Sequence, residues 1–573
     1  MSKTVIIGGV AGGASAAARL RRLDENMEII ILERGDYISY ANCGLPYYIG
    51  DVIQDRDDLL LQSPKMMKER FHIEVRVKNE VTAIDPTAKK VTVTRDDKTT
   101  YEESYDDLVI ATGSSPVIPP IPGIDSKRIH TLWTVNDTDK IRGIIDNEQP
   151  ENAVVVGGGF IGLEMAENLA QRGIQVTLIE GTDQVMAPLD YEMAALLHKN
   201  IRKNGVDLRL GRTVQSFEDT ETGVKIKLSD DSYVETEFVI LSIGVRPNSA
   251  IAKAAGLETN ARGGIKVDNM MRTSEKNIWA VGDVIEVDHF VSGEKAMIPL
   301  AGPANKQGRM AADNIIAARN GEPLKEYKGT MGTSVAKVFD QAAASTGLTE
   351  KALKAKGLMK DRDYKAFSIL QKDHAGYYPN ATGLYLKLIF ASDGKILGAQ
   401  VVGPKGADKR IDVIATAMRL GARVWDLKDL ELAYAPPFAS AKDPVNMLGF
   451  VAENIRDGLV SFKSVSEVAN ADPEKMLVLD VREQSERNAW APEGTLHIPF
   501  GQVRDRMSEL PKDKEICVLC AIGVRAYNVC RILRQNGFEN ASVAEGGATF
   551  YRSYLESIKG NNISNDVKPC KFD

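Results

Sequence analysis

The sequence predicts a multi-domain α/β protein organised around two βαβ nucleotide-binding units. Three observations carry that prediction. Two glycine-rich turns each follow a short apolar strand and open a helix, each is answered by a carboxylate at the end of the next strand, and 573 residues are too many for one core. Hydrophobic residues make up 43 % and charged residues 26 %, the balance of an ordinary globular chain, and a net charge of −7 offers no global footprint for nucleic acid. Five cysteines in a chain of this length cannot form a disulfide framework, so each is weighed as a thiol. The first residues resemble a signal peptide in their Lys3 and apolar run, but the glycines and the basic Arg19–Arg22 end fit a strand, turn and helix better. No apolar run reaches the roughly 18 to 20 residues that cross a membrane, so the expectation is a cytoplasmic protein with no membrane and no nucleic-acid partner.

The first unit runs from a β-branched strand over residues 4–7, through the turn Gly8-Gly9-Val10-Ala11-Gly12-Gly13, to a helix over 14–23 and a second strand over 28–32. Glu33 follows 20 residues after Gly13, where a carboxylate accepts ribose hydroxyls while the helix N-terminus faces a pyrophosphate. The middle glycine of G-x-G-x-x-G is replaced by Val10. The second unit fits the pattern throughout. A strand over 153–156 leads into Gly157-Gly158-Gly159-Phe160-Ile161-Gly162, a helix over 163–172, a strand over 175–179 and Glu180, 18 residues after Gly162. Glu180, with no arginine in the residues that follow, favours a free ribose 2′-hydroxyl and hence NADH over NADPH, because a 2′-phosphate would meet like-charge repulsion.

Two further segments end strands in polar turns: 108–113, closing on Thr112-Gly113, and 277–283, closing on Gly282-Asp283. Together with the two units these resemble the flavoprotein disulfide reductases over about residues 1–447. The resemblance implies two Rossmann-like domains, one for FAD (1–113 and 246–325) and one for NADH (114–245), then an α+β dimerisation domain (326–447). It places FAD on Gly8, Gly13, Glu33, Arg34, Thr112, Gly113, Ala301 and Asp283, with Asp283 on the ribityl chain. NADH falls to Gly157, Gly159, Phe160, Ile161, Gly162, Glu164 and Glu180, with Phe160 swinging aside for the nicotinamide.

Cys43 lies in Asn42-Cys43-Gly44-Leu45-Pro46, which in this family opens the helix beside the isoalloxazine, and a helix N-terminus is expected to lower its thiol pKa. Glutathione-reductase-type members carry two cysteines separated by four residues; here Tyr48 takes the second position. The partner sulfur must then come from a substrate, as a mixed disulfide, or oxygen must take its place, as a sulfenic acid. The sulfenate branch, NADH oxidases and peroxidases, usually places a histidine in the first glycine turn, where this chain has Val10. Residues 375–379 and 432–438 resemble segments of the coenzyme A disulfide reductases. In that branch tyrosines matching Tyr377 and Tyr434 reach the partner subunit's active cysteine, which implies a homodimer. Arg19 and Arg22, spaced i and i+3 on the first helix, suit the phosphates of coenzyme A. Ser15, Ser39, Asn42 and Lys442 align with further coenzyme A contacts, while Asn305 stands where relatives often have histidine.

After a helical stretch over 447–459 and a linker over 448–462, residues 463–560 resemble a rhodanese domain, and 561–573 form a polar tail. A strand over 515–519 delivers Cys520 into a loop that ends at Arg525, where a helix over 526–536 begins. Backbone N–H groups of such a loop point inward and suit an anionic persulfide. The four residues between Cys520 and Arg525 are one fewer than in Cys-x5-Arg phosphatases, which argues for sulfur rather than phosphate. Cys517 completes a C-x-x-C but falls within the strand and reads as structural; Cys530 falls in the following helix and Cys570 in the tail. No metal site is expected, since zinc needs four convergent ligands and the six histidines do not cluster with the cysteines. The expectation from all of these features is an NADH- and FAD-dependent reductase of coenzyme A persulfide, polysulfide and coenzyme A disulfide, with sulfane sulfur carried by Cys520. The alternative is an NADH oxidase or peroxidase working through a sulfenate.

Overall fold

A computed structural model describes residues 2–561, so residues 562–573 of the expected tail, Cys570 among them, lie outside the described residues. The first glycine turn sits in a five-stranded parallel sheet ordered Ile278–Ala280, Asp107–Ile110, Lys3–Ile7, Glu28–Leu32, Glu74–Arg76. The strands are continuous apolar runs because helices cover both faces of such a sheet; Ile6, Ile30 and Val109 are wholly buried. Helices Ala11–Leu23 and Ala301–Asn320 pack so closely that a Cβ on Gly308 would stand 2.2 Å from the Gly12 carbonyl oxygen. A three-stranded antiparallel sheet, Asn79–Asp85, Lys90–Arg95 and Thr100–Ser104, forms the excursion before strand Asp107–Ile110. In the second unit strand Asn152–Val156 pairs in parallel with Phe238–Leu241, which pairs with Ile129–His130.

The expected elements are present with shifted ends. The helices begin at Ala11, Phe160 and Val524, two or three residues before the positions expected from sequence. The first turn of a helix needs no side-chain periodicity, so residues of a glycine-rich turn serve as its opening residues. Helix Pro444–Arg456 runs across the expected 447/448 boundary, started by a capping box between Asp443 and Asn446.

The contacts divide the chain into two compact units, Met1–Leu178 with Val214–Gly332, and Ile179–Thr213 with Thr333–Asp573. Residues 179–213, inside the expected 114–245 span, group by contact with the C-terminal half. Helix Tyr191–Lys203 supplies the reason: His198 Nδ1 and Ser557 Oγ are 2.7 Å apart, and Tyr191 packs edge-on against Tyr554. The second unit holds two sheets. One is antiparallel, ordered Ser334–Val338, Gln341–Gly347, Ile396–Gly403, Gly383–Ala391, Tyr364–Lys372. The other is parallel, ordered Phe462–Lys463, Ala541–Ala544, Glu515–Leu519, Met476–Asp480, Thr495–His497. Among the described residues no helix is long and apolar enough to cross a membrane.

Candidate functional site

Both glycine turns are built for close backbone approach. Gly8 has φ 99° and a Cβ there would stand 2.3 Å from the Ala111 carbonyl oxygen; at Gly13 it would stand 1.9 Å from that of Gly8. Gly157, at φ 108°, and Gly162 repeat the arrangement, with 2.4 Å to the Ser242 oxygen and 1.8 Å to that of Gly157. In front of Gly159, by contrast, nothing lies within 4 Å, which leaves room for a pyrophosphate at the start of helix Phe160–Gln171, where Ile161 follows Phe160. Val10 stands just before helix Ala11–Leu23 and makes no side-chain cap.

The two acids differ in their partners. Glu33 accepts the Gly9 N–H at 2.9 Å and the Gly35 N–H at 2.7 Å, which ties it to the first turn. Glu180 accepts the N–H and hydroxyl of Thr182, at 2.7 and 2.9 Å, within its own loop. Arg34 donates to Ser115 Oγ at 3.3 Å. Thr112 Oγ1 donates to the Asn248 carbonyl at 2.8 Å, and the Asn248 side-chain amide donates back to the Thr112 carbonyl at 2.9 Å, fixing the turn at Gly113, φ 62°. Asn248 was invisible to sequence reasoning, having no motif around it. Asp283, in the turn Gly282–Val284, accepts Ser114 Oγ at 3.2 Å, and burial raises its pKa. Ala301 is the exposed first residue of its helix. These turns, with Gly159 open and Asp283 desolvated beside a hydroxyl, fit a dinucleotide and a polyol chain.

Cys43 lies in the one-turn 3₁₀ helix Asn42–Gly44, ahead of the five-residue helix Leu45–Ile49. The expected lowering of its thiol pKa is not found. Although the residue is exposed, desolvation at the sulfur, then the carboxylates of Glu164 and Asp283, pushes the thiol up, and so short a helix offers little opposing dipole. Glu164 is itself pushed up to about 7 by burial, and accepts the Tyr47 hydroxyl at 3.2 Å. Tyr47, next to the Pro46 of the quoted motif, was passed over in the sequence. Tyr48, in the second-cysteine position, carries the Arg142 guanidinium 4.1 Å over its ring, and its carbonyl accepts from Arg142 at 2.6 Å. The described cysteines 43, 517, 520 and 530 are all free thiols.

The expected coenzyme A contacts are partly redirected. Arg19 is committed to Asp313, Nε to Oδ1 at 2.6 Å, so its guanidinium belongs to the packing of helix Ala301–Asn320; Arg22 is exposed. Ser15 Oγ donates to Asn305 Oδ1 at 2.5 Å, and Ser39, at φ 42°, donates its N–H to the Gly9 carbonyl. Asn42 and Lys442 are exposed. The structure joins Tyr377 and Tyr434: their hydroxyls are 2.8 Å apart, with the residues 76 % and 47 % exposed, and the shared hydrogen bond raises the Tyr377 pKa.

Strand Glu515–Leu519 ends at Cys520, 1 % exposed, whose sulfur accepts the Gly523 N–H at 3.1 Å. That single amide, at φ 106°, is the loop donor on the sulfur, where several were expected. Arg525 pairs with Glu486 through two 2.7 Å hydrogen bonds that drive the Glu486 pKa down to about 2. Glu486, in the short helix Gln484–Ala489, carries no motif that marks it in the sequence. Cys517 is buried in the strand and its thiol pKa is pushed up to about 12 by desolvation, and the Cys530 thiol donates to the Ala541 carbonyl at 3.2 Å.

Residues 2–308 match the family described as pyridine nucleotide-disulphide oxidoreductase, 333–444 its dimerisation domain, and 464–553 the rhodanese-like domain. A coenzyme A disulfide reductase from Staphylococcus haemolyticus is 35 % identical over 457 residues, 79 % of this chain and 100 % of that protein. The crystal structure of reduced Bacillus anthracis CoADR-RHD is 47 % identical with a TM-score of 0.93, covering 97 % of this chain and 99 % of that one. An NAD-dependent persulfide reductase from A. fulgidus is 38 % identical with a TM-score of 0.88, covering 96 % and 99 %.

Proposed function

The chain belongs to the pyridine nucleotide-disulphide oxidoreductases, enzymes in whose company it carries a rhodanese-like domain, and from that premise we propose that it is an NADH- and FAD-dependent reductase of coenzyme A-linked persulfides, polysulfides and disulfides, acting as a homodimer. The observation that carries the reading is the lone Cys43 thiol between Glu164 and Asp283, with Tyr48 and not a second cysteine after it. Two relatives support it by what their names say they act on, coenzyme A disulfide and persulfide. FAD, when bound, supplies the two-electron relay from NADH. Gly8, Gly13, Glu33, Thr112, Gly113 and Asp283 hold it, and Gly157, Gly159, Gly162, Glu164 and Glu180 receive NADH.

Cys43 thiolate attacks the inner sulfur of a coenzyme A persulfide. The S–S bond breaks, hydrosulfide leaves, and Cys43 is joined to coenzyme A by a mixed disulfide. Two electrons and one proton then regenerate the Cys43 thiolate and release coenzyme A thiol, with Tyr377 and Tyr434 of the partner subunit hydrogen-bonding the departing sulfur. Cys520 carries sulfane sulfur as its own persulfide and exchanges it with coenzyme A, so the product of one domain is the substrate of the other. Intact mass before and after NADH tests the chemistry: loss of a coenzyme A adduct from Cys43 is expected, and a sulfenate trapped there with no adduct would overturn it in favour of an oxidase or peroxidase. Stopped-flow turnover ranks the acceptors, with the persulfide expected above coenzyme A disulfide; a large preference for the disulfide sinks that ranking.

A further inference from the structure

The chain leaving strand Ala541–Ala544 is clamped from two sides. On one side Glu545, 1 % exposed, takes Lys360 Nζ on Oε1 at 3.1 Å, and the Gly546 N–H donates to the Ser368 carbonyl at 3.2 Å. Lys360 and Ser368 lie outside the rhodanese-like domain, in the segment matching the dimerisation domain. On the other side the Ala548 N–H donates to the Cys520 carbonyl at 2.7 Å. Gly547, at φ 73°, sits so near the Cys520 loop that a Cβ there would stand 2.4 Å from the Ala521 oxygen.

The other oxygen of Glu545 is buried without a hydrogen-bond partner, so this carboxylate depends on the cation beside it. Of the two cations that act on Glu545, Lys360 has the larger influence and Lys387 the smaller. Lys387, wholly buried, is already engaged by Asp190 at 3.0 Å, Glu350 at 2.6 Å and Glu192, while Lys360 also reaches Glu467 at 3.5 Å. A buried carboxylate that loses its ammonium takes up a proton or moves toward water, and either way the pairing that holds this turn is lost.

We propose that Lys360 is a positioning residue for Cys520: by holding Glu545 it fixes the turn 545–548, and the turn fixes the loop that presents the sulfur. The inference rests on the reading of Cys520 as a sulfur carrier. Its test uses the full-length protein with inorganic polysulfide as sulfur donor and cyanide as acceptor. Lys360→Met should lower the kcat of transfer by about 10-fold while the donor KM stays within about twofold, since a small misplacement of a reacting atom acts on the rate. Lys360→Arg should restore most of it, and NADH-driven reduction of coenzyme A disulfide should be unchanged in both. Should Lys360→Met fail to fold, Glu545→Gln, which keeps the side-chain shape, carries the test and should lower kcat in the same direction. A folded Lys360→Met or Glu545→Gln protein with wild-type kcat overturns the inference alone, as does Lys360→Arg as impaired as Lys360→Met. A wild-type protein that transfers no sulfur, or transfers equally well as Cys520→Ser, overturns the reading of Cys520 and this inference with it.

Discussion

The two reactive thiols of this chain are housed in opposite ways. Cys43 belongs to an exposed single-turn helix and faces two carboxylates; Cys520 is 1 % exposed and receives an amide N–H on its sulfur. Negative neighbours discourage a resting thiolate, whereas a donated amide stabilises charge on sulfur. Burial and acidic neighbours therefore push the Cys43 thiol up, while the Cys520 sulfur is met by a backbone N–H. In the proposed cycle the first site exchanges a bond transiently and the second carries sulfur.

The largest effects should come from removing either sulfur. Cys43→Ser is expected to abolish NADH-dependent reduction and leave sulfur transfer to cyanide intact, and Cys520→Ser to do the reverse; parallel assays of both activities check it, and mutual loss would break the comparison. Next, Lys387→Met leaves the buried Asp190 and Glu350 and the half-buried Glu192 without this cation and should cost about 3–5 kcal/mol, read as a fall in Tm accompanied by a larger rise in the alkylation rate of Cys520 than of Cys43. A smaller effect is expected from Glu164→Gln. Removing a like charge beside the thiolate should move the pH midpoint of Cys43 alkylation down by about one unit. Because Glu164 titrates near 7, the wild-type protein should show a second inflection there, absent from the variant: below it the protonated carboxyl no longer opposes the thiolate. The smallest effect is Tyr434→Phe, which removes the hydroxyl bonded to Tyr377; reductase kcat should fall about 3- to 10-fold, the worth of one hydrogen bond, with sulfur transfer unaffected.

Much of this was legible in the chain because local signals determine it. Strand, glycine turn and helix follow one another within about thirty residues at both units, and the positive φ of Gly8 and Gly157 is what those glycines announce. Helix starts were misplaced because turn glycines enter the first helical turn, where no side chain marks them. Tyr377 and Tyr434 came from family resemblance, and nothing in their own neighbourhoods predicted that their hydroxyls would meet. The charged cluster of Asp190, Glu192, Glu350 and Lys387 was hidden for the same reason: polar residues from three distant segments each read as surface until the fold brings them together. Arg19 shows the converse, since a basic residue well spaced for a ligand was taken by Asp313 from a helix nearly three hundred residues away.

Cys517, three residues before Cys520, has a strand position that bears on the sulfur carriage proposed for Cys520. It sits in register between Val478 and Ser542 within the strand, wholly buried, whereas Cys520 lies just past the strand's end. With its proton retained to about pH 12, it neither attacks a neighbouring persulfide nor closes a ring with it. On the proposed reading of Cys520, a cargo that an adjacent nucleophile would discharge within the protein is thus left for an incoming acceptor.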